Sequence, residues 1–100
     1  MDLLTANAFI LVVSGNFSQY SIATQRTLLE GIFQLADECQ EDLNERPDAP
    51  EYEHLQTSLS LAKLFASGAL KNGNLREGFR LAAECFRPTA AYSEFLSRRA

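Results

Sequence analysis

Apolar residues recur along this chain at steps of three and four, and no segment alternates at steps of two. Residues 3–14 (LLTANAFILVVS) predict a short first helix, with Gly15 placed to stop it. Its apolar residues run almost all round, which predicts a position at the centre of the core. The β-branched pair Val12-Val13 leaves a strand open there. Asn16 to Ser21 reads as a turn with candidate N-caps at Ser18 and Ser21. A second helix then runs to about Glu45 on an apolar face of Leu28, Leu29, Ile32, Phe33, Leu35, Ala36, Cys39 and Leu43. Gly31 inside it costs about 1 kcal/mol relative to alanine, and close approach of another helix would offset this.

Arg46-Pro47-Asp48-Ala49-Pro50 predicts a rigid loop, and Asp48 with Glu51 has the spacing of a capping box that opens a third helix. Tyr52, Leu55, Leu59, Ala62, Ala66 and Ala69 form one stripe on that helix. Leu61, Leu64 and Phe65 form a second, which predicts neighbours on two sides. It ends at Lys71-Asn72-Gly73. Asn74 with Glu77 repeats the capping-box spacing ahead of a fourth helix over about 75–86, with Leu75, Phe79, Ala82 and Phe86 as its core line. Pro88 is expected to break it, and a last short helix from about 89 to 97 would bury Tyr92, Phe95 and Leu96. The expectation is all-α: a compact single-domain bundle of about five helices over residues 1–100.

Composition adds constraints. A chain of 100 residues, 46% hydrophobic with seven Phe, can form one modest core and is not expected to be disordered. The apolar stretch from Leu3 to Val13 is interrupted by Ser14-Gly15-Asn16, well short of the ~20 residues that span a membrane. Asp2 stands where a signal peptide needs positive charge. These observations imply no membrane and a cytoplasmic location (the host cytoplasm, if the chain is phage-encoded). Cys39 and Cys85 form no C-x-x-C motif and fall at apolar helix positions, which predicts buried, reduced thiols and leaves a disulfide open.

Charge is sorted along the chain. Residues 37–53 carry eight acids (Asp37, Glu38, Glu41, Asp42, Glu45, Asp48, Glu51 and Glu53) against the single base Arg46. Residues 54–100 carry seven bases against three acids, and Arg76, Arg80 and Arg87 fall on one helix face, with Arg98 and Arg99 following. The acidic block is the first candidate for partner binding and these five arginines the second. Acids at a helix C-terminus oppose its dipole by a few tenths to about 1 kcal/mol, which makes the acidic block a candidate for function, although solvation alone accounts for such a surface as well.

Catalytic signatures are missing. His54 is the single histidine, so no activated nucleophile pair is indicated. Glu51-x-x-His54 has the spacing of a di-iron motif, but that site needs two such motifs and further carboxylates. Counted from Asp37, the sixth position of an EF-hand loop would be Asp42 where glycine is required. Phosphate-binding, dinucleotide-binding and hydrolase motifs do not occur. No enzyme, metal or cofactor is expected. With a pI near 4.9, direct DNA binding is not expected either.

Two resemblances follow. The stretch Lys71-Asn72-Gly73-Asn74-Leu75-Arg76-Glu77-Gly78-Phe79, with Ala66 before it and Pro88 after, resembles the inter-helix turn of a tetratricopeptide hairpin. It departs from that family at Gly78, where alanine is preferred, and shows no second copy. In size, solitary domain and missing chemistry the chain is similar to small inhibitors that phages and mobile elements carry against host nucleic-acid machinery, such as anti-CRISPR proteins. That resemblance implies a non-catalytic protein that docks on a larger nucleic-acid-binding complex and blocks nucleic-acid binding or a needed conformational change. The alternative is a helical adaptor or chaperone-like subunit that holds a partner helix in an apolar groove, with a homodimer through the N-terminal run.

Overall fold

A computed structural model describes the backbone of residues 9–10, 12–48 and 51–99, and the side chains of these as far as Arg87. The described residues are all-α: helical residues at 9–10 and 12–14, a 3-10 turn at Phe17–Gln19, and three long helices with no strand. We label these α1 (Ile22–Asn44), α2 (Tyr52–Asn72) and α3 (Leu75–Arg99). They form an up-down-up arrangement in which α2 packs on both neighbours while α1 and α3 touch little.

α1 starts where a serine can cap it. The Ser21 hydroxyl accepts the Thr24 amide at 3.2 Å, which satisfies one of the four orphan donors of the first turn. Leu29, Ile32, Leu35, Ala36, Cys39 and Leu43 are buried as the periodicity predicts, while Phe33 lies at the edge of that face. Gln25 is buried too, and its amide donates to the carbonyls of Phe17 and Tyr20, fastening the 3-10 turn onto α1. Phe17 then stacks on Phe79 of α3 with ring centroids 4.1 Å apart.

The N-terminal segment is less central than its composition suggests. Ile10 and Val13 are buried, but Val12 is 70% exposed and Phe9 is exposed as well. The segment is helical and lies on the hairpin by one face; residues 1–8 and Leu11 fall outside the described ones.

The predicted start of α2 is also different. Glu51 is the N-cap, with φ of 60° and no side-chain capping bond, so no Asp48/Glu51 capping box forms. A left-handed non-glycine residue costs of order 1 kcal/mol, and Glu51 alone adopts it among the described residues. The stripe from Leu55 to Ala69 is buried, but Leu61 and Leu64 of the second stripe are exposed, Leu64 by 63%. Both neighbours of α2 pack against one wide face. The helix ends as expected, with Gly73 left-handed at φ of 82° and its amide on the Ala69 carbonyl.

α3 corrects two expectations. Glu77 does not reach back to cap: it pairs with Arg80, and the Asn74 amide donates to the Asn72 side chain instead. The helix also runs through Pro88 to Arg99, so the predicted fourth and fifth helices are one. A mid-helix proline forfeits a backbone bond at about 3 kcal/mol. Phe86, two residues earlier, is fully buried, so the path of α3 is set against the core before the proline arrives. The expected burial of Tyr92, Phe95 and Leu96 lies outside the described side chains. The α2–α3 hairpin spans residues 52–99, longer than the ~34 residues of a tetratricopeptide unit, so the likeness is confined to the turn.

Close helix approach occurs at Gly78 and not at Gly31. A Cβ at Gly78 would lie 2.1 Å from the Ala69 Cβ and 3.2 Å from the Phe65 carbonyl, whereas one at Gly31 meets nothing within 4 Å. Gly31→Ala is therefore expected to stabilise the protein by up to about 1 kcal/mol through helix propensity. Gly78→Ala has the same propensity gain but forces α2 and α3 apart, an overpacking cost of about 1–3 kcal/mol, so a net loss is expected. Urea denaturation of the two variants checks the opposite signs.

Candidate functional site

The acidic block is brought together by the α1–α2 hairpin. Arg26 faces Leu70, Asp37 faces Lys63, Gln40 faces Ser60 and Asn44 faces Tyr52, a register that makes the helices antiparallel. The C-terminus of α1 and the N-terminus of α2 thus share one end of the molecule, and the acids flanking their connection share it too.

A polar seam fixes this register. The Gln40 side-chain amide donates to Ser60 Oγ at 2.8 Å and to the Gln56 carbonyl at 3.2 Å. Gln56 and Tyr52 both donate to Asn44 Oδ1, at 2.7 and 2.8 Å. Lys63 donates to Asp37 at 2.7 Å and to Gln40 at 3.1 Å, and lies 5.3 Å from the centroid of the Phe33 ring. Sequence reasoning missed this seam. Its signal was present in the amides at Gln40 and Gln56, which flank the apolar stripes one turn from buried positions.

The seam divides the eight acids. Asp37 is held by Lys63, Glu38 accepts from Gln34 at 3.3 Å, and Asp42 lies 3.9 Å from Arg46. Glu41, Glu45, Asp48, Glu51 and Glu53 are exposed and have no ion pair among the described residues. Glu41 lies in the last turn of α1 and Glu45 caps it, with no base in that turn. His54 stands next to Glu53, exposed. Among the described residues, no three His, Cys, Asp or Glu side chains converge to hold a metal ion, and no helix is long and apolar enough to cross a membrane.

Three of the basic candidates lie elsewhere. Arg76 and Arg80 begin α3 at the opposite end of α2, about 30 Å away by helical rise. Among the described residues, no ion pair joins Glu41, Asp42, Glu45, Asp48, Glu51 or Glu53 to Arg76, Arg80 or Arg87. With Arg87, these arginines edge a groove of about 1240 Å³ between the N-terminal segment and α3. Arg80 is already engaged, bound by the Glu77 carboxylate and 3.8 Å from Glu84. Its hydrogen bond holds the Glu77 carboxyl below the usual range, and the guanidinium is raised in turn. Arg76 and Arg87 are exposed and have no ion pair among the described residues. The side chains of Arg98 and Arg99 lie outside the described ones.

Neither Cys39 nor Cys85 forms a disulfide; Cys39 is buried and Cys85 half-buried. Burial, and secondarily the Glu84 carboxylate, push the Cys85 thiol up from its ordinary range. Because the thiolate is the reactive form, maleimide labelling of native protein at pH 7 is expected to be slower than that of a free cysteine, accelerating only at higher pH. Labelling across pH by mass spectrometry checks this.

The acidic end also opposes its own helix. Glu41→Lys and Glu45→Lys are each expected to stabilise the fold by about 0.3–1 kcal/mol, a gain that shrinks in concentrated salt. Thermal unfolding at two salt concentrations measures it. Comparison with known protein families, curated proteins and solved structures finds no match for this chain.

Proposed function

We propose that this is a non-catalytic interaction protein whose acidic end docks on a basic surface of a larger, nucleic-acid-binding partner. One observation carries the reading: five exposed carboxylates, without ion pairs among the described residues, are gathered at one end of the α1–α2 hairpin, where two of them work against the helix that bears them. A surface of this kind competes with a phosphate backbone for the same Lys and Arg side chains, because both neutralise several cations at once. Inhibition follows directly, since a site filled by carboxylates cannot hold nucleic acid. The anti-CRISPR type of inhibitor is the class that combines this size, this charge and this mode of action. Stability is lowered where binding is served, as expected when a surface is selected for function.

The test uses tagged protein and lysate from its native host. The unmodified chain is expected to retain a nucleic-acid-binding complex at low salt and to release it at about 0.5 M, where screening acts within a few ångströms. The triple variant Glu41→Lys, Glu45→Lys, Asp48→Lys should keep its helicity by circular dichroism and lose that capture. Equal capture by both proteins would reject the acidic end as the docking face.

A further inference from the structure

The face of α2 that looks away from both of its neighbours carries Thr57, Leu61, Leu64 and Gly68. Leu64 is 63% exposed and Leu61 40%. A methyl group at Gly68 would meet nothing within 4 Å, so the packing of the single chain makes no use of that glycine. Exposed leucines that stand singly are ordinary. These two are neighbouring positions of a seam. From His54 through Thr57, Leu61, Leu64 and Gly68 to Lys71 the steps are three, four, three, four and three, the spacing by which one helix packs along another.

Symmetry and charge select the occupant. The steps read the same in both directions about the midpoint between Leu61 and Leu64. Laid antiparallel on a copy of itself, the seam sets Leu61 against Leu64 of the second copy, Thr57 against Gly68 and His54 against Lys71. Glu53, beside His54, then comes to Lys71 of the second copy at both ends. Glu53 and Lys71 are exposed and have no ion pair among the described residues. Between these charged ends the seam is uncharged from Thr57 to Gly68. A parallel pairing would instead set Glu53 on Glu53 and Lys71 on Lys71. The acidic start and basic finish of α2 thus complement α2 itself, in one direction only.

We infer that a second copy of this chain covers this face, through an antiparallel two-fold pair of α2 helices. Such a contact is isologous, each surface meeting itself, so it closes at two copies. The leucines fill its centre, and the missing side chain at Gly68 lets the helices approach opposite Thr57. The seam runs about 25 Å along the helix, which makes a small interface, so the pair is weak and forms as concentration rises. Antiparallel pairing sends the two α1–α2 connections, with their exposed carboxylates, to opposite ends of the dimer. The pair does not depend on what those carboxylates bind.

Sedimentation equilibrium of the full chain at low salt, from about 5 to 500 µM, tests this. The mass is expected to rise from 11.1 kDa toward twice that value. Leu64→Glu, at an exposed site, should keep its helicity by circular dichroism and raise the dissociation constant by about tenfold or more. Glu53→Lys and Lys71→Glu should each weaken the pair by about threefold or more, and the double variant should recover to within about twofold of the unmodified chain. Each single change also sets a charge against the α2 dipole, so an effect through stability alone would grow in the double variant instead of reversing. A mass of one copy at every concentration, a dimer that Leu64→Glu leaves unchanged, or a double variant as weak as the single ones would each overturn the two-fold α2 contact.

Discussion

The α2–α3 hairpin depends on a backbone approach that leaves no room for a methyl group at position 78. Ala62, Ala66 and Ala69 form the facing stripe, and Ala82 continues it on α3. Small residues on both sides bring the helices close. The larger fully buried side chains come from α1 (Leu29, Ile32 and Leu43), from the first half of α2 (Leu55 and Leu59) and from Phe86 of α3. Closeness between α2 and α3 also determines which edge of α3 is left over. That edge carries Arg76, Arg80 and Arg87, and the stacked pair Phe17–Phe79 holds the N-terminal segment across from it.

Charge in this molecule has two distinct uses. Where helices meet, ionic and amide groups are consumed in pairs: Asp37 with Lys63, Gln40 with Gln56 and Ser60, Arg26 with the Leu70 carbonyl. Partly exposed pairs of this kind add little to stability, typically under about 1 kcal/mol each, but they fix a register. At the hairpin end and on the groove edge, charges have no ion pair among the described residues. Separating these two populations narrows eight candidate acids to five and five candidate arginines to two with described side chains.

The helical pattern was legible because the apolar stripes are clean. Leu29, Ile32, Ala36, Cys39 and Leu43 follow one face of α1, and Leu75, Phe79, Ala82 and Phe86 follow α3, all buried as expected. Errors arose where a local rule met a tertiary contact. Pro88 reads as a stop, yet Phe86 already binds the helix to the core. Glu51 and Glu77 read as capping residues, yet one adopts a left-handed backbone and the other prefers a nearby guanidinium. Gly31 and Gly78 are indistinguishable as letters, and only the packing shows which one is needed. For the candidate site, the acidic block was plain in the composition. The seam that removes Asp37 from it was not, because pairing across helices depends on register.

The contact between Phe17 and Phe79 has a kinetic consequence. Each long helix packs mainly on its neighbour in sequence, so most of the structure closes through short loops and low contact order, the regime of microsecond-to-millisecond folding. The aromatic stack is the exception, since it joins the beginning of the chain to its final helix across nearly the whole hairpin. Its loop closes against the largest entropy and is expected to close late. The N-terminal turn is therefore expected to detach from α3 at a lower free energy than either helix hairpin opens, so its amides would exchange hydrogen before those of the buried helix faces.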